Sequence, residues 1–326
     1  MFEINLTILF ASVVAGAAPI VLAAVGETVT EKAGIINLSL DGTILLSAMA
    51  AFAVAFETHS LMLGFVCGAV VGALVAVTVA VFSIYLLQNQ VAVGFVLTLM
   101  TRDLAYFIGN PYSRLQGPQV SPLPLPLLNK IPVLGDIFFN HNLPVYLSLF
   151  FIVICWWYIY HTPHGLKLRS VGEHPGASYA RGIDPQKLQL LYAVCGGLLV
   201  GLAGATFSLA TKPGWGRPQG AEGTGWIALA LVIFGCWHPV KAAAGAYLFS
   251  LLQVLGIYFQ EWLPSVPSQV FQVAPFPLMI FTLVIMSFAQ KESVLLWAEG
   301  KGRIKSLLGF FAGMAPSALG KPYRPD

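Results

Sequence analysis

The residues that could carry acid–base, metal or phosphate chemistry are sparse in this 326-residue chain, and their spacing argues against catalysis. His59, His141, His161, His164, His174 and His238 form no HExxH motif, so an intramembrane enzyme built on His or Glu has little support. Cys67, Cys155, Cys195 and Cys236 are far apart, each in or beside an apolar run, and none makes a CxxC pair; they read as small, inert, buried residues. The chain lacks a GxxxxGK[ST] phosphate loop. It is therefore expected to bind no cofactor or metal itself, and any ATP and Mg²⁺ must sit on a partner. What remains is charge inside apolar sequence: Asp41, Glu57, Arg102 and Asp103. A charge within a span normally faces a water-filled path or a protein partner. Adjacent helix positions point apart, so Arg102 and Asp103 each need a partner of their own. They belong either to a solute pathway or to structural ion pairs within a bundle.

The elements that hold these groups are membrane spans. Apolar residues make up 57% of the chain and charged ones only 10%, where a soluble domain carries roughly a quarter charged. A hydrocarbon core of roughly 30 Å takes about 20 apolar residues per helix. Nine runs approach that length, near Asn5 to Val25, Thr43 to Glu57, Leu61 to Leu87, Val91 to Gly109, Pro144 to His161, Leu188 to Thr211, Gly225 to Trp237, Pro239 to Gln260 and Val273 to Gln290. The expected fold is an all-α polytopic transmembrane helical bundle of eight to ten spans. The second and seventh runs are short enough to be half-helices or re-entrant segments. The first run begins close to the start without a basic lead or a small-residue cleavage site, so a removable signal peptide is not expected.

Twelve of the 17 Lys and Arg residues fall on one side if the amino terminus is outside, including Lys167, Arg169, Arg181 and Lys187 and those beyond Gln290. That side is expected to be cytoplasmic, so the small excess of positive charge speaks for membrane orientation and not for nucleic acid. The expected organisation is a permease-like transmembrane domain over 1–290, with a charged cytoplasmic loop at 162–187, and a cytoplasmic tail over 291–326. The external loop from Asn110 to Leu143 is Pro-rich. Gly64, Gly68 and Gly72 share one helix face, as do Gly197 and Gly201, which allows close backbone approach in lipid. Trp156, Trp157, Tyr158 and Tyr160 read as interfacial anchors.

Two connecting segments carry more than linker chemistry. The stretch from Gly26 to Gly42 mixes charges with apolar residues between two spans. Backbone that leaves a helix at membrane depth must be buried in protein or line a wet cavity. Asn37, Ser39 and Asp41 thus mark either a broken helix beside a pathway or an interfacial linker whose Asp41 caps the next helix. In the 162–187 loop, the sequence from Val171 to Ile183 predicts one helix of about two turns ending at Gly182. So short a helix is unstable alone and fits docking into another protein, although a plain surface linker has the same pattern.

Gly26-Glu27, with Glu31-Lys32-Ala33-Gly34-Ile35-Ile36-Asn37-Leu38-Ser39-Leu40-Asp41-Gly42, resembles the "GE…ERAGVLNLGLEG" signature of permeases of basic-membrane-protein type nucleoside importers, within the wider ribose and branched-chain amino acid permease group. Gly172-Glu173-His174-Pro175 through Arg181-Gly182-Ile183 is similar to that family's coupling segment, "GENP…AGI". Gly225 to Ala230 with Ile233 to Pro239 resembles its "G.IALA.VIFGRWNP" element, and Asn89-Gln90-Val91 with Gly94 also fits. The resemblance spans about Gly26 to Phe259. It departs at Asp41 for Glu, His174 for Asn, Cys236 and His238 for Arg and Asn, and at Arg102-Asp103, where the family is usually apolar.

The resemblance implies a type II-like ABC importer permease in a bacterial plasma (inner) membrane, with its carboxyl terminus cytoplasmic. It also implies a separate ATP-binding subunit, a second homologous and non-identical permease subunit, and an extracytoplasmic substrate-binding protein. Gly172, Glu173, His174, Pro175, Arg181 and Gly182 would meet the ATPase. Asn37, Ser39, Asp41, Asn89, Gln90, Arg102 and Asp103 are candidates for the pathway. The implied solute is a nucleoside or related nucleobase compound, with a sugar or other small polar solute as the alternative. A secondary transporter coupled to protons or sodium is a different class, in which Asp41, Glu57, Arg102 and Asp103 would be the relay.

Overall fold

Helix-starting side chains set most of the observed boundaries. The computed structural model describes residues 5–126, 128–262 and 313–324, with isolated positions between 266 and 291. Asn5 Oδ1 accepts from Thr7 N at 3.0 Å to open α1 (Leu6–Lys32). Helix α2 (Leu40–Thr58) follows a seven-residue break, and Ser60, Asn89 and Asp184 cap α3 (Leu61–Ile84), α4 (Gln90–Gly109) and α9 (Pro185–Thr206). Between α4 and α9 lie the short α5 (Leu134–Phe138), the spanning α6 (Leu143–His161), α7 (Pro163–Glu173) and α8 (Pro175–Ala180). Pro163, Pro175 and Pro185 each occupy a first helical position, where their missing N–H costs nothing. Helices α10 (Thr224–Phe234) and α11 (Pro239–Trp262) complete the order.

Among the described residues none lies in a strand, and seven helices are long and apolar enough to cross a membrane. The chain is thus an all-helical, multi-pass bundle. The expected span near Val273 to Gln290, and most of the tail beyond it, lie outside the described residues. Helices α1, α2 and α9 each bury two thirds of their apolar length and form the centre, whereas α3, α4 and α6 bury a third or less. The outward faces of those peripheral helices carry Met62, Val66, Leu74, Val96, Phe107 and Val153, a surface suited to lipid or to another apolar subunit.

The glycine stripes meet each other. A Cβ added to Gly72 would lie 2.3 Å from Gly197 O, and one on Gly201 would lie 2.2 Å from Gly68 O, so α3 and α9 pack backbone against backbone. Two other sequence expectations are modified. The second run is a full 19-residue helix, not a half-helix. Tyr158 and Tyr160 turn into the protein, with Tyr158 hydroxyl 3.0 Å from that of Tyr192 and Tyr160 stacked on His238, while Trp157 is exposed as an anchor should be.

The seventh run is short, as its length implied: α10 has 11 residues. Helix α9 runs into a π-helical turn at Phe207–Thr211, and residues 212–223 then return into the bundle without regular structure. Trp215 is 4% exposed there and packs so tightly on α4 that a Cβ on Gly109 would fall 2.2 Å from its Nε1. Helix α10 therefore starts inside the protein, beside the first turn of α2.

Replacing Gly72 by Leu should force α3 and α9 apart and lower stability by about 1–3 kcal/mol. Thermal unfolding of the purified protein in detergent checks this, and an unchanged midpoint would refute the backbone contact.

Candidate functional site

The break between α1 and α2, residues 33–39, is buried and every bond holding it comes from a named side chain or neighbour. Asn37 N donates to Glu27 Oε1 at 3.0 Å, and Asn37 Oδ1 accepts from Ser39 N at 3.1 Å and Ser39 Oγ at 2.5 Å. Gln90 Oε1 accepts from Ile36 N at 2.8 Å, Thr98 Oγ1 donates to Leu38 O at 2.6 Å, and Gln189 Nε2 donates to Ala33 O at 3.1 Å. The seven-residue break between α1 and α2 is thus held by side chains of the bundle and largely buried in protein. Asn37 and Ser39, 2% and 0% exposed, point into this network.

Asp41 caps a helix, but not its own. Ser39 is the residue preceding α2 and makes no side-chain cap bond. Asp41 Oδ1 instead accepts from Gly225 N at 3.1 Å, in the first turn of α10. Its carboxylate meets the positive end of that helix dipole, tying the broken helix to the re-entrant segment. A Cβ on Gly225 would sit 2.1 Å from Asp41 N, so only glycine fits this approach.

The other candidates separate. Asn89 is exposed and caps α4 through Ala92 N at 3.0 Å, whereas Gln90 is buried on the break. Arg102 and Asp103 are exposed on α4, and among the described residues neither makes an ion pair within 4 Å. Arg102 lies ~18 Å along α4 from its start, well inside the span. Beside it is a cluster that sequence reading did not single out. Tyr106 hydroxyl donates to Glu222, whose carboxylate also accepts from Gln219 N at 2.8 Å and Gly220 N at 2.6 Å. Arg217 lies over the Tyr106 ring at 4.9 Å, and Trp215 packs against the same ring. The only available signal was polarity within and between spans, without a spacing rule to link residues so far apart.

The charged loop forms two helices: the expected short one ending before Gly182 is α8, and α7 precedes it. Thr162 Oγ1 caps α7 through Gly165 N at 3.0 Å, and His174 both ends α7 and caps α8, its Nδ1 accepting from Ala177 N at 3.0 Å. Pro175 begins α8, Arg181 follows its end, and Gly182 at φ +79° turns the chain toward α9. Gly172 bears on the end of α1, because a Cβ there would lie 2.1 Å from Lys32 O, and Leu168 is buried in one cluster with Val29, Ile159 and Tyr192. A 620 Å³ groove runs along this unit between Leu166, Lys167, His174 and Arg181.

The turn from α10 to α11 lies close by. Trp237 Nε1 donates to Glu31, and the neighbouring His238 stacks on Tyr160 with ring centroids 4.9 Å apart. Burial, reinforced by Lys241 and Lys32, pushes the His238 imidazole from 6.5 down to about 4.

A broken central helix, a re-entrant segment and a projecting two-helix unit make up a transport architecture, and sequence comparison decides which. Residues 9–285 match the family described as branched-chain amino acid transport system / permease component. The chain belongs to that family. It is 30% identical over 316 residues to the nucleoside ABC transporter permease protein NupC of Lactococcus lactis, covering 93% of this chain and 98% of the relative. It is 30% identical to the guanosine ABC transporter permease protein NupQ of Bacillus subtilis, covering 85% and 91% of the two chains. A putative glucose ABC transporter permease protein, TsgC13 of Haloferax volcanii, is 34% identical over 76% of each chain. No solved structure matches. The protein is thus a multi-pass membrane permease component of a transport system.

Two outcomes follow from this geometry. Asp41→Ala leaves the Gly225 N–H buried without its acceptor and should cost about 1–3 kcal/mol, measured as a lower unfolding midpoint; an unchanged midpoint would free Asp41 from this role. For His238 the folded form favours the neutral ring, so the unfolded chain binds the extra proton between pH 6.5 and about 4. Its contribution to stability is complete above pH 6.5 and declines as pH falls through that window. His238→Asn should flatten the decline, and identical pH profiles for the two proteins would contradict it.

Proposed function

We propose that this chain is the pathway-forming permease subunit of an ATP-driven importer for a nucleoside or related nucleobase compound. It works with a second, homologous and non-identical permease subunit, with separate subunits that bind ATP and Mg²⁺ and hydrolyse the nucleotide, and with an extracytoplasmic binding protein. The chain lies in a bacterial plasma membrane, with the α7–α8 unit and residues 313–324 on the cytoplasmic side, where most of the Lys and Arg fall.

The observation that carries this reading is the α7–α8 unit. It projects from the bundle with an open groove, yet at Gly172 it bears directly on the end of α1, five residues from Glu27 and its bond to the break. A partner that grips Glu173, His174 and Arg181 can therefore push on the central helix. Nothing in a plain linker requires such a contact.

The polarity of the interior supports a neutral solute. The start of a half-helix is a natural anion site, but here Asp41 already fills it. The wall next to it offers the exposed pair Phe95 and Trp226, with ring centroids 6.4 Å apart, to which a flat base can stack. Arg102 and Asp103 stand on the same helix and do not suit lipid. We place them against the second permease subunit or the aqueous path between the two. The Haloferax relative, by its name, keeps a sugar as the alternative solute.

Reconstituted with its ATP-binding subunit, the second permease subunit and the binding protein, the protein should accumulate guanosine only while ATP is present, with other nucleosides competing and glucose failing to compete. Uptake that persists without ATP at a maintained ion gradient would defeat the importer reading in favour of ion coupling. Glu173→Lys should abolish uptake while leaving membrane insertion intact, and normal uptake by that variant would remove the coupling role from α7–α8.

A further inference from the structure

The segment 313–324 lies far along the chain from everything it touches, and it touches both ends of the route by which a coupling force would travel. Ser317 donates twice to Glu173 Oε2, from its N at 3.1 Å and its Oγ at 2.8 Å, and Ala318 N donates to Gly172 O at 3.0 Å. Two residues on, Gly320 N donates to Gly34 O at 3.1 Å, inside the α1–α2 break. Among the described residues, no hydrogen bond joins α7 or α8 directly to residues 33–39; the bonds between them run through 317–320.

This seat is built, not incidental. Pro316 and Ala318 are buried, and the segment folds on itself through Leu319 N to Pro316 O and Lys321 N to Ala318 O, both at 3.0 Å. Gly34 and Gly320 both have left-handed φ values, +95° and +74°, which L side chains resist. A Cβ on Gly320 would also lie 2.9 Å from Ile36 Cδ1. Each glycine thus sits where a side chain would spoil the joint.

Resting on the reading of α7–α8 as the coupling unit, we infer that residues 313–324 are a staple that makes this unit and the α1–α2 break move as one body. Gly172 against Lys32 O transmits a push, since steric contact resists approach and not separation, and the packing of Leu168 in one buried cluster with Val29 and Ala33 holds α7 to α1 without directional bonds. The hydrogen bonds through Ser317, Ala318 and Gly320 resist separation as well. With the staple in place a partner can both push and pull the break, which a cycle between two pathway states requires. Without it the return stroke is lost: the partner still binds and hydrolyses, but nucleotide turnover no longer drives the pathway.

The test compares the full chain with a chain ending at residue 312 and with Gly320→Val, which strains the joint at Gly34 but leaves Glu173 and Ser317 in place. Two measurements are made on the full transporter, reconstituted with its ATP-binding subunit, second permease subunit and binding protein: guanosine taken up per ATP hydrolysed, and hydrogen–deuterium exchange of the amides of residues 33–39. The staple predicts a fall in uptake per ATP of about tenfold on truncation and about threefold for Gly320→Val, within the range by which coupling elements act. Exchange at 33–39 should be faster in both, with unchanged partner association. An unchanged ratio with unchanged exchange overturns the staple, and so does increased uptake, which would make the segment an inhibitory latch. Should the full-length chain import nothing with its ATPase, the importer reading fails by itself, and exchange at 33–39 in Gly320→Val still decides whether the joint holds.

Discussion

Backbone that leaves a helix inside a bilayer must find partners in the protein, since an unmet N–H or C=O in hydrocarbon costs several kcal/mol. Among the described residues, two segments leave the helix and turn into the protein, at 33–39 and at 212–223, and much of the surrounding architecture satisfies them. Glu27, Gln90, Thr98 and Gln189 reach the first from three different helices. Glu222 closes the second on itself and on Tyr106. Asp41 joins the two through Gly225 N. The result is irregular backbone with specific bonds, and such bonds can be exchanged for another set. A continuous α-helix has no equivalent freedom.

The same bookkeeping explains the charges. Glu27, Glu31, Asp41 and Glu222 all act as acceptors for a main-chain or indole N–H or for a hydroxyl, so they hold structure and are poorly placed to meet solute. Arg102 and Asp103 are different, because they stand exposed on α4 with no ion pair among the described residues. Charges at that depth are met by water or protein. Their exposure marks a face of α4 that water or another protein must cover, as proposed above for the second permease subunit.

Much of this was legible from local pattern. Apolar runs gave the spans, the glycine stripes marked faces of close approach, which the structure pairs as α3 and α9, and Gly182 marked the end of the helix in the 162–187 loop. The shortness of the seventh run foreshadowed α10. What escaped was long-range pairing. Asp41 and Gly225 are 184 residues apart and Glu173 and Ser317 are 144 apart, and no periodicity encodes such partners. Asp41 next to a helix start looked like that helix's own cap because capping is normally local. The loop looked like one helix because His174-Pro175 permits either a stop or a turn, and the His174 ring settles the matter only by folding back onto Ala177 N.

Helix α1 is where these features converge. Gly26 meets Gly196 so closely that a Cβ would lie 2.7 Å from its carbonyl, Glu27 holds the break, Glu31 receives Trp237 from the α10–α11 turn, and Lys32 O bears on Gly172. Within two turns one helix contacts the central bundle, the break, the re-entrant half and the projecting unit. Packing this dense does not yield gradually; it shifts between discrete arrangements. Under the proposed coupling role, a load applied at α7–α8 meets an α1 that cannot bend at Gly26, where backbones already touch, so the unit and the break move together relative to α1, beyond Lys32. The left-handed Gly34 at the start of the break, with a φ of +95°, is the residue best able to absorb the turn.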